Sequence, residues 1–199
     1  MENKHKIIKS YVFGSSNPHK VKEVNAIANL QNINFEVVNG NFAPEETGNT
    51  FEENAVIKAK LAAELTNKIA IADDTGLCVE YLDGAPGIYS ARYAPTQEER
   101  INRLLKELND CELSKRKCYF ACAMAVVHPN GEILFSTTET IDGYITFSPK
   151  GTNGFGYDSV FFIPEENQTM AEISDERKNT ISHRAKALDK VLKFLKSEI

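Results

Sequence analysis

The apolar run Ile69-Ala70-Ile71-Ala72 passes directly into Asp73-Asp74-Thr75-Gly76. A run of that length closed by turn residues predicts a buried strand that breaks into two adjacent carboxylates, a hydroxyl and a turn glycine. Unpaired carboxylates are costly to bury, and open α/β sheets bind ligands beyond the carboxyl ends of their strands. The tetrad is therefore the first candidate for a metal or general-base site. Alternation along a strand sends Asp73 and Asp74 to opposite faces, which makes Asp73 the more structural of the two.

At 199 residues the chain can bury a full core, and residues 1–199 are expected to form a single domain, with room for two lobes. Apolar residues make up 42% and charged residues 26%, the balance of a soluble globular protein. The net charge of −5 argues against a nucleic-acid partner and against a surface that coats anionic membrane, since both depend on summed positive potential. No apolar run approaches the roughly 18 residues of a spanning helix, and Met1-Glu2-Asn3-Lys4-His5 leads into no signal-type stretch, so a cytoplasmic chain is expected. Cys78, Cys111, Cys118 and Cys122 lack paired C-x-x-C spacing and read as reduced core thiols.

A first strand is expected over Ile7 to Phe13, followed by the polar loop from Gly14 to Lys20. Asn17 can cap the next helix with Pro18 at its first position, and Val21, Val24, Ile27 and Ala28 give that helix one apolar face. The free N–H groups and positive dipole at such a helix start suit phosphate oxygens, and Lys20 adds a full charge there. A second strand is expected over Phe35 to Val38. The acidic loop with Glu45 and Glu46 comes next, then a helix opened by a Thr50/Glu53 capping box, with Ala55, Ala59, Ala62 and Ala63 as its packing side and Lys58 at its middle. A third helix starts at Thr96 with Glu99 completing its box, and buries Ile101, Leu104, Leu105 and Leu108. Tyr119 to Val127 and Ile133 to Thr140 flank Asn130-Gly131 and predict a long antiparallel hairpin. A strand over Val160 to Ile163 and one last helix bearing Ile181, Ala185, Leu188, Leu192 and Leu195 complete a mixed α/β pattern without internal repeats.

Four ordered groups of residues resemble one family. They are Ser16-Asn17-Pro18-His19-Lys20 and Lys22-Glu23 with Glu45 to Phe51, Glu53-Asn54-Ala55 and Lys58-Ala59; Ala72 to Leu77; Gly84 to Tyr93; and Gly154-Phe155-Gly156-Tyr157-Asp158 with Lys178-Asn179 and Ser182-His183-Arg184. The chain is similar over about residues 7–195 to the inosine/xanthosine triphosphate pyrophosphatases. The resemblance implies an α/β fold with an elongated mixed sheet flanked by helices, two lobes and a central nucleotide cleft, in a homodimer. It also implies a Mg²⁺-dependent hydrolase that cleaves ITP, dITP and XTP to the monophosphate and pyrophosphate.

Carried onto this sequence, Asp74 is the implied metal ligand and proton acceptor, with Thr75 beside it touching substrate. Glu45 or Glu46 supplies the second carboxylate, with Glu45 preferred, since Mg²⁺ commonly takes one or two protein carboxylates plus substrate phosphates. Ser15, Ser16, Asn17, Pro18, His19 and Lys20 are expected to hold the triphosphate, although Ser15, Ser16 and His19 depart from the usual family loop. Lys20 and Lys58 are the cations expected on transferred or leaving-group oxygens. Phe155, Gly156, Tyr157, Asp158, Lys178, His183 and Arg184 are expected to meet the purine. A Maf-like pyrophosphatase for modified nucleotides and a nucleotide sensor without hydrolysis are the alternatives.

Overall fold

The computed structural model describes residues 9–38, 40 and 42–198, so Ile7 and Ile8 of the expected first strand lie outside the described residues. The strands β1 (Lys9–Phe13), β2 (Ile33–Val37), β3 (Ala70–Val79), β4 (Lys117–Val127), β5 (Ile133–Ile145), β6 (Phe161–Ile163) and β7 (Gln168–Thr169) form one seven-stranded sheet in the order β2-β1-β3-β4-β5-β6-β7. The sheet is mixed: β1 runs parallel to β2 and β3, while β6 is antiparallel to β5 and β7. The helices are α1 (Pro18–Asn29), α2 (Phe51–Thr66), α3 (Gln97–Glu107), α4 (Asp175–Ile181) and α5 (His183–Ser197). This is the helix-flanked α/β sheet expected from the sequence. Among the described residues no helix is long and apolar enough to cross a membrane.

The chain divides into two compact units. One comprises Met1–Asp73, Ala123–Thr137 and Ala187–Ile199; the other comprises Asp74–Cys122 and Thr138–Lys186. In the first, α2 presents Ala55, Ala59, Ala62 and Ala63 to Val12, Ala70, Ala72, Ala123, Ala125 and Val127, all buried. In the second, Leu104 and Leu108 of the α3 region pack with Leu77, Val79, Phe120, Ile145, Phe161 and Met170. The four cysteines are buried thiols outside any disulfide, as their spacing implied.

Local chemistry explains most helix starts. The Asn17 side chain accepts the His19 N–H with Pro18 opening α1, and Asn25 of α1 exchanges two hydrogen bonds with the Phe35 backbone, fastening the helix to β2. Thr96 and Glu99 form the complete capping box of α3. At α2 only half of the expected box exists: Thr50 accepts the Glu53 N–H, but the Glu53 carboxylate takes the Asn49 N–H one residue earlier.

Several boundaries differ from expectation. The strand does not break at Asp73-Asp74-Thr75-Gly76; β3 runs on to Val79, because Leu77, Cys78 and Val79 are themselves buried and extend the strand into the second unit's core. The second strand starts earlier, at Ile33, and ends at Val37, since Ile33 pairs with Lys9 and is buried. The hairpin arms reach Lys117 and Ile145, and Val160 belongs to a 3-10 turn ahead of β6. The expected last helix is two helices. Ser182 adopts an extended conformation, and its hydroxyl accepts the Ala185 N–H, so it ends α4 and caps α5.

Candidate active site

In the first unit, β1 pairs with β3 only at Val12–Ala70 and Phe13–Ile71. Beyond that point β1 turns into the loop toward α1 while β3 continues. Gly14 donates its N–H to the Ile71 carbonyl at 2.7 Å, and Ser15 Oγ accepts the Asn17 N–H at 3.2 Å. The loop is therefore ordered by its own short side chains. Ser16, Pro18 and His19 are exposed, and Ser15 and Asn17 are half-buried. Lys20, two residues into α1, places Nζ 3.0 Å from the fully buried carboxylate of Asp73.

Lys58 turns inward rather than into solvent: its side chain is 8% exposed and its Nζ lies 2.9 Å from Glu46 Oε1. Lys58 follows Ala55 and precedes Ala59 and Ala62, the small residues through which α2 packs, so its stem lies along the buried side of the helix. The adjacent glutamates thus separate. Glu46 is half-buried on Lys58, while Glu45, the preferred ion ligand by sequence, is exposed.

Asp73 pairs with Lys20, and Asp74, the next residue of β3, is itself only 7% exposed. These are hard oxygen donors of the kind Mg²⁺ takes. Among the described residues no group of three or more His, Cys, Asp or Glu is placed to hold an ion. Asp74 and Glu46 each offer carboxylate oxygens, the hard donors that Mg²⁺ takes.

In the second unit, Asp158 accepts the Phe155 N–H at 2.8 Å and pairs with Lys178 Nζ at 2.6 Å, and both charged side chains of that pair are buried. Gly154 is indispensable to this loop. Its φ is +72°, and a Cβ there would lie 2.0 Å from Asp158 Oδ2. Lys178 Nζ stands 4.8 Å from the centre of the Phe155 ring and the Arg184 guanidinium 5.6 Å from it, so one aromatic ring meets two cations. Arg184, 2% exposed, also donates to Thr75 Oγ1 at 3.3 Å. The break at Ser182 puts His183 and Arg184 in the first turn of α5.

The remaining sequence candidates make contacts within the protein. Tyr157 is buried, and its hydroxyl donates to the Ser90 carbonyl at 3.0 Å; burial pushes its pKa up. Ser90 in turn accepts the Leu77 N–H at 2.9 Å, so Tyr157 braces the segment beside β3. His183 is buried with its ring stacked on Phe120, centroids 4.8 Å apart. Gly156 donates its N–H to the Gln97 side chain at 2.8 Å.

Sequence reading missed two of these partnerships. Strand alternation marks Asp73 as the more structural of the two carboxylates but names no partner for it, and the structure pairs it with Lys20. Gln97 carried no local signal, because its partner lies 59 residues away.

The Ham1 family profile matches residues 11–194. A dITP/XTP pyrophosphatase of Bacillus licheniformis is 46% identical over 195 residues, spanning 94% of this chain and 98% of the relative. The Ham1 protein of Staphylococcus aureus superposes with a TM-score of 0.84 at 38% identity, covering 96% of this chain and 100% of that one. A nucleoside-triphosphatase/dITP/XTP pyrophosphatase of Mycobacterium abscessus gives a TM-score of 0.72 at 32% identity, with coverage of 92% and 98%. With its lysine–carboxylate pairs in one unit and its cation-flanked aromatic loop in the other, this chain belongs to the Ham1 family.

Proposed function

We propose that the protein hydrolyses the non-standard purine nucleoside triphosphates ITP, dITP and XTP to the nucleoside monophosphate and pyrophosphate, clearing deaminated purines from the nucleotide pool. Family membership and the activity named for its relatives support this reading. The structural observation that carries it is the pair of inward-turned ion pairs, Lys20–Asp73 and Lys58–Glu46, in the first unit. Two set cations suit the oxygens of a polyphosphate, and the carboxylates beside them suit its counter-cation.

In this reading the loop from Ser15 to His19 and the start of α1 hold phosphate oxygens through backbone N–H groups, with Lys20 adding charge. Water attacks the α-phosphorus as the bond to the oxygen bridging to the β-phosphate breaks. Asp74 accepts the proton, and pyrophosphate departs with its charge facing Lys20 and Lys58. Asp74 and one of Glu46 and Glu45 would hold Mg²⁺, which would further neutralise phosphate charge.

Base selection belongs to the second unit. Phe155 offers a stacking face, and Lys178 and Arg184 offer donors where hypoxanthine and xanthine carry a 6-oxo acceptor. Adenine, with an amino donor there, would leave those donors unpaired. Homodimerisation and a cytoplasmic setting belong to the same reading. The Maf-like and sensor alternatives are not favoured, since the relatives are named dITP/XTP pyrophosphatases.

The test is the product. ITP, dITP and XTP with Mg²⁺ are expected to yield pyrophosphate and no orthophosphate, with activity lost in chelator and regained with Mg²⁺. Orthophosphate as the first product would refute the cleavage position, and full activity in excess chelator would refute the carboxylate roles.

A further inference from the structure

We propose that Gln97 is a positioning residue for base selection: its side-chain carbonyl holds the Gly156 N–H and so sets the Phe155 ring against Lys178 and Arg184. The proposal rests on the reading of the Gly154–Asp158 loop as the purine-facing element.

Phe155 stands between two glycines of left-handed backbone, Gly154 at φ +72° and Gly156 at φ +66°. Glycine is the residue with the most backbone freedom, so a loop hinged on two of them keeps one ring position only if its amides are tied. Two successive N–H groups are tied here. Phe155 donates within the loop to Asp158 at 2.8 Å, and Gly156 donates out of it to Gln97 Oε1 at 2.8 Å.

Gln97 is well placed to act as a fixed post. It is the first residue of α3, whose start is locked by the reciprocal Thr96/Glu99 capping box. Two further side chains fasten the same helix to the chain before it: Arg100 donates to the Ala91 carbonyl at 2.5 Å and Arg103 to the Tyr93 carbonyl at 2.7 Å. The Arg103 guanidinium also covers the Tyr93 ring at 3.9 Å. A post anchored at its cap and along its length can transmit position to the glycine loop. Gln97 therefore acts on base recognition through Phe155, and it belongs to no group of residues assigned to phosphate.

The experiment compares Gln97→Ala and Gln97→Glu with the wild-type enzyme, using ITP as substrate and inorganic tripolyphosphate as a base-free competitor. One hydrogen bond of ordinary net worth corresponds to about a three- to tenfold effect. Gln97→Ala is expected to raise KM for ITP by about that factor while kcat stays within about twofold. The inhibition constant of tripolyphosphate is expected to stay at the wild-type value. Gln97→Glu keeps an acceptor for the Gly156 N–H and is expected to restore the wild-type KM. A wild-type KM in Gln97→Ala, or equal weakening of ITP and tripolyphosphate, would overturn the proposal while leaving the function intact. Absence of pyrophosphate release from ITP by the wild-type enzyme would overturn the underlying reading, and the proposal with it.

Discussion

Around α2 the buried core is mostly alanine, whereas around α3 it is mostly leucine, isoleucine and other large side chains. The first choice lets a helix approach its sheet closely, and here it carries Lys58 inward on the same side to meet Glu46. The second fills volume, and it surrounds the elements that hold Asp158, Lys178 and Arg184, each nearly inaccessible. The charged groups differ in the same way. The first unit pairs lysines with carboxylates, an arrangement ready to exchange partners with phosphate and a cation. The second sets cations against an aromatic ring, an arrangement suited to a flat heterocycle. In the proposed reading the first unit's lysines face phosphate charge and the second unit, which opens with Asp74, selects the base.

The largest expected effect comes from Asp74→Asn. Loss of a general base typically costs about 10²- to 10⁴-fold in rate, so kcat for ITP should fall by at least that range while circular dichroism stays unchanged. A variant with near-normal kcat would move the proton acceptor elsewhere. Next come the lysines. Lys20→Met and Lys58→Met should each lower kcat by roughly 10²-fold or more, as expected for cations that stabilise developing charge. Lys178→Met should act mainly on KM for ITP. Steady-state kinetics on the three variants checks the division, and a matching kcat loss in Lys178→Met would blur it.

The two cores can be set against each other in denaturant melts. Leu104→Ala removes a fully buried side chain from the α3 core and should destabilise by about 2–5 kcal/mol. Ala59→Leu forces volume into the close-packed side of α2 and should cost about 1–3 kcal/mol. A neutral Ala59→Leu would mean that α2 does not need its small face.

What the sequence revealed was local. Asn17, Thr50 and Thr96 announce helix starts because a capping side chain bonds within three residues, and alanine or leucine spacing marks the buried helix faces. Ordered motifs single out the Phe155 loop and the lysines as candidates. What stayed hidden depends on distant partners. Lys58 could have faced solvent by its local pattern alone, and which of Glu45 and Glu46 meets it depends on the tertiary fold. The α4–α5 break was masked because Ile181 and Ala185 keep helical spacing across Ser182, so an apolar pattern continues where the backbone does not. Tyr157 and His183 sit among motif residues, yet their side chains are occupied by Ser90 and Phe120, contacts no local pattern announces.

The most direct test is the ratio of kcat/KM for ITP to that for ATP, measured in the wild type, Lys58→Met and Lys178→Met. The account predicts a wild-type ratio of at least about 10², nearly the same ratio in Lys58→Met at a much lower absolute rate, and a collapsed ratio in Lys178→Met. A wild-type ratio near unity, or a ratio that falls with Lys58 and survives the loss of Lys178, would contradict it.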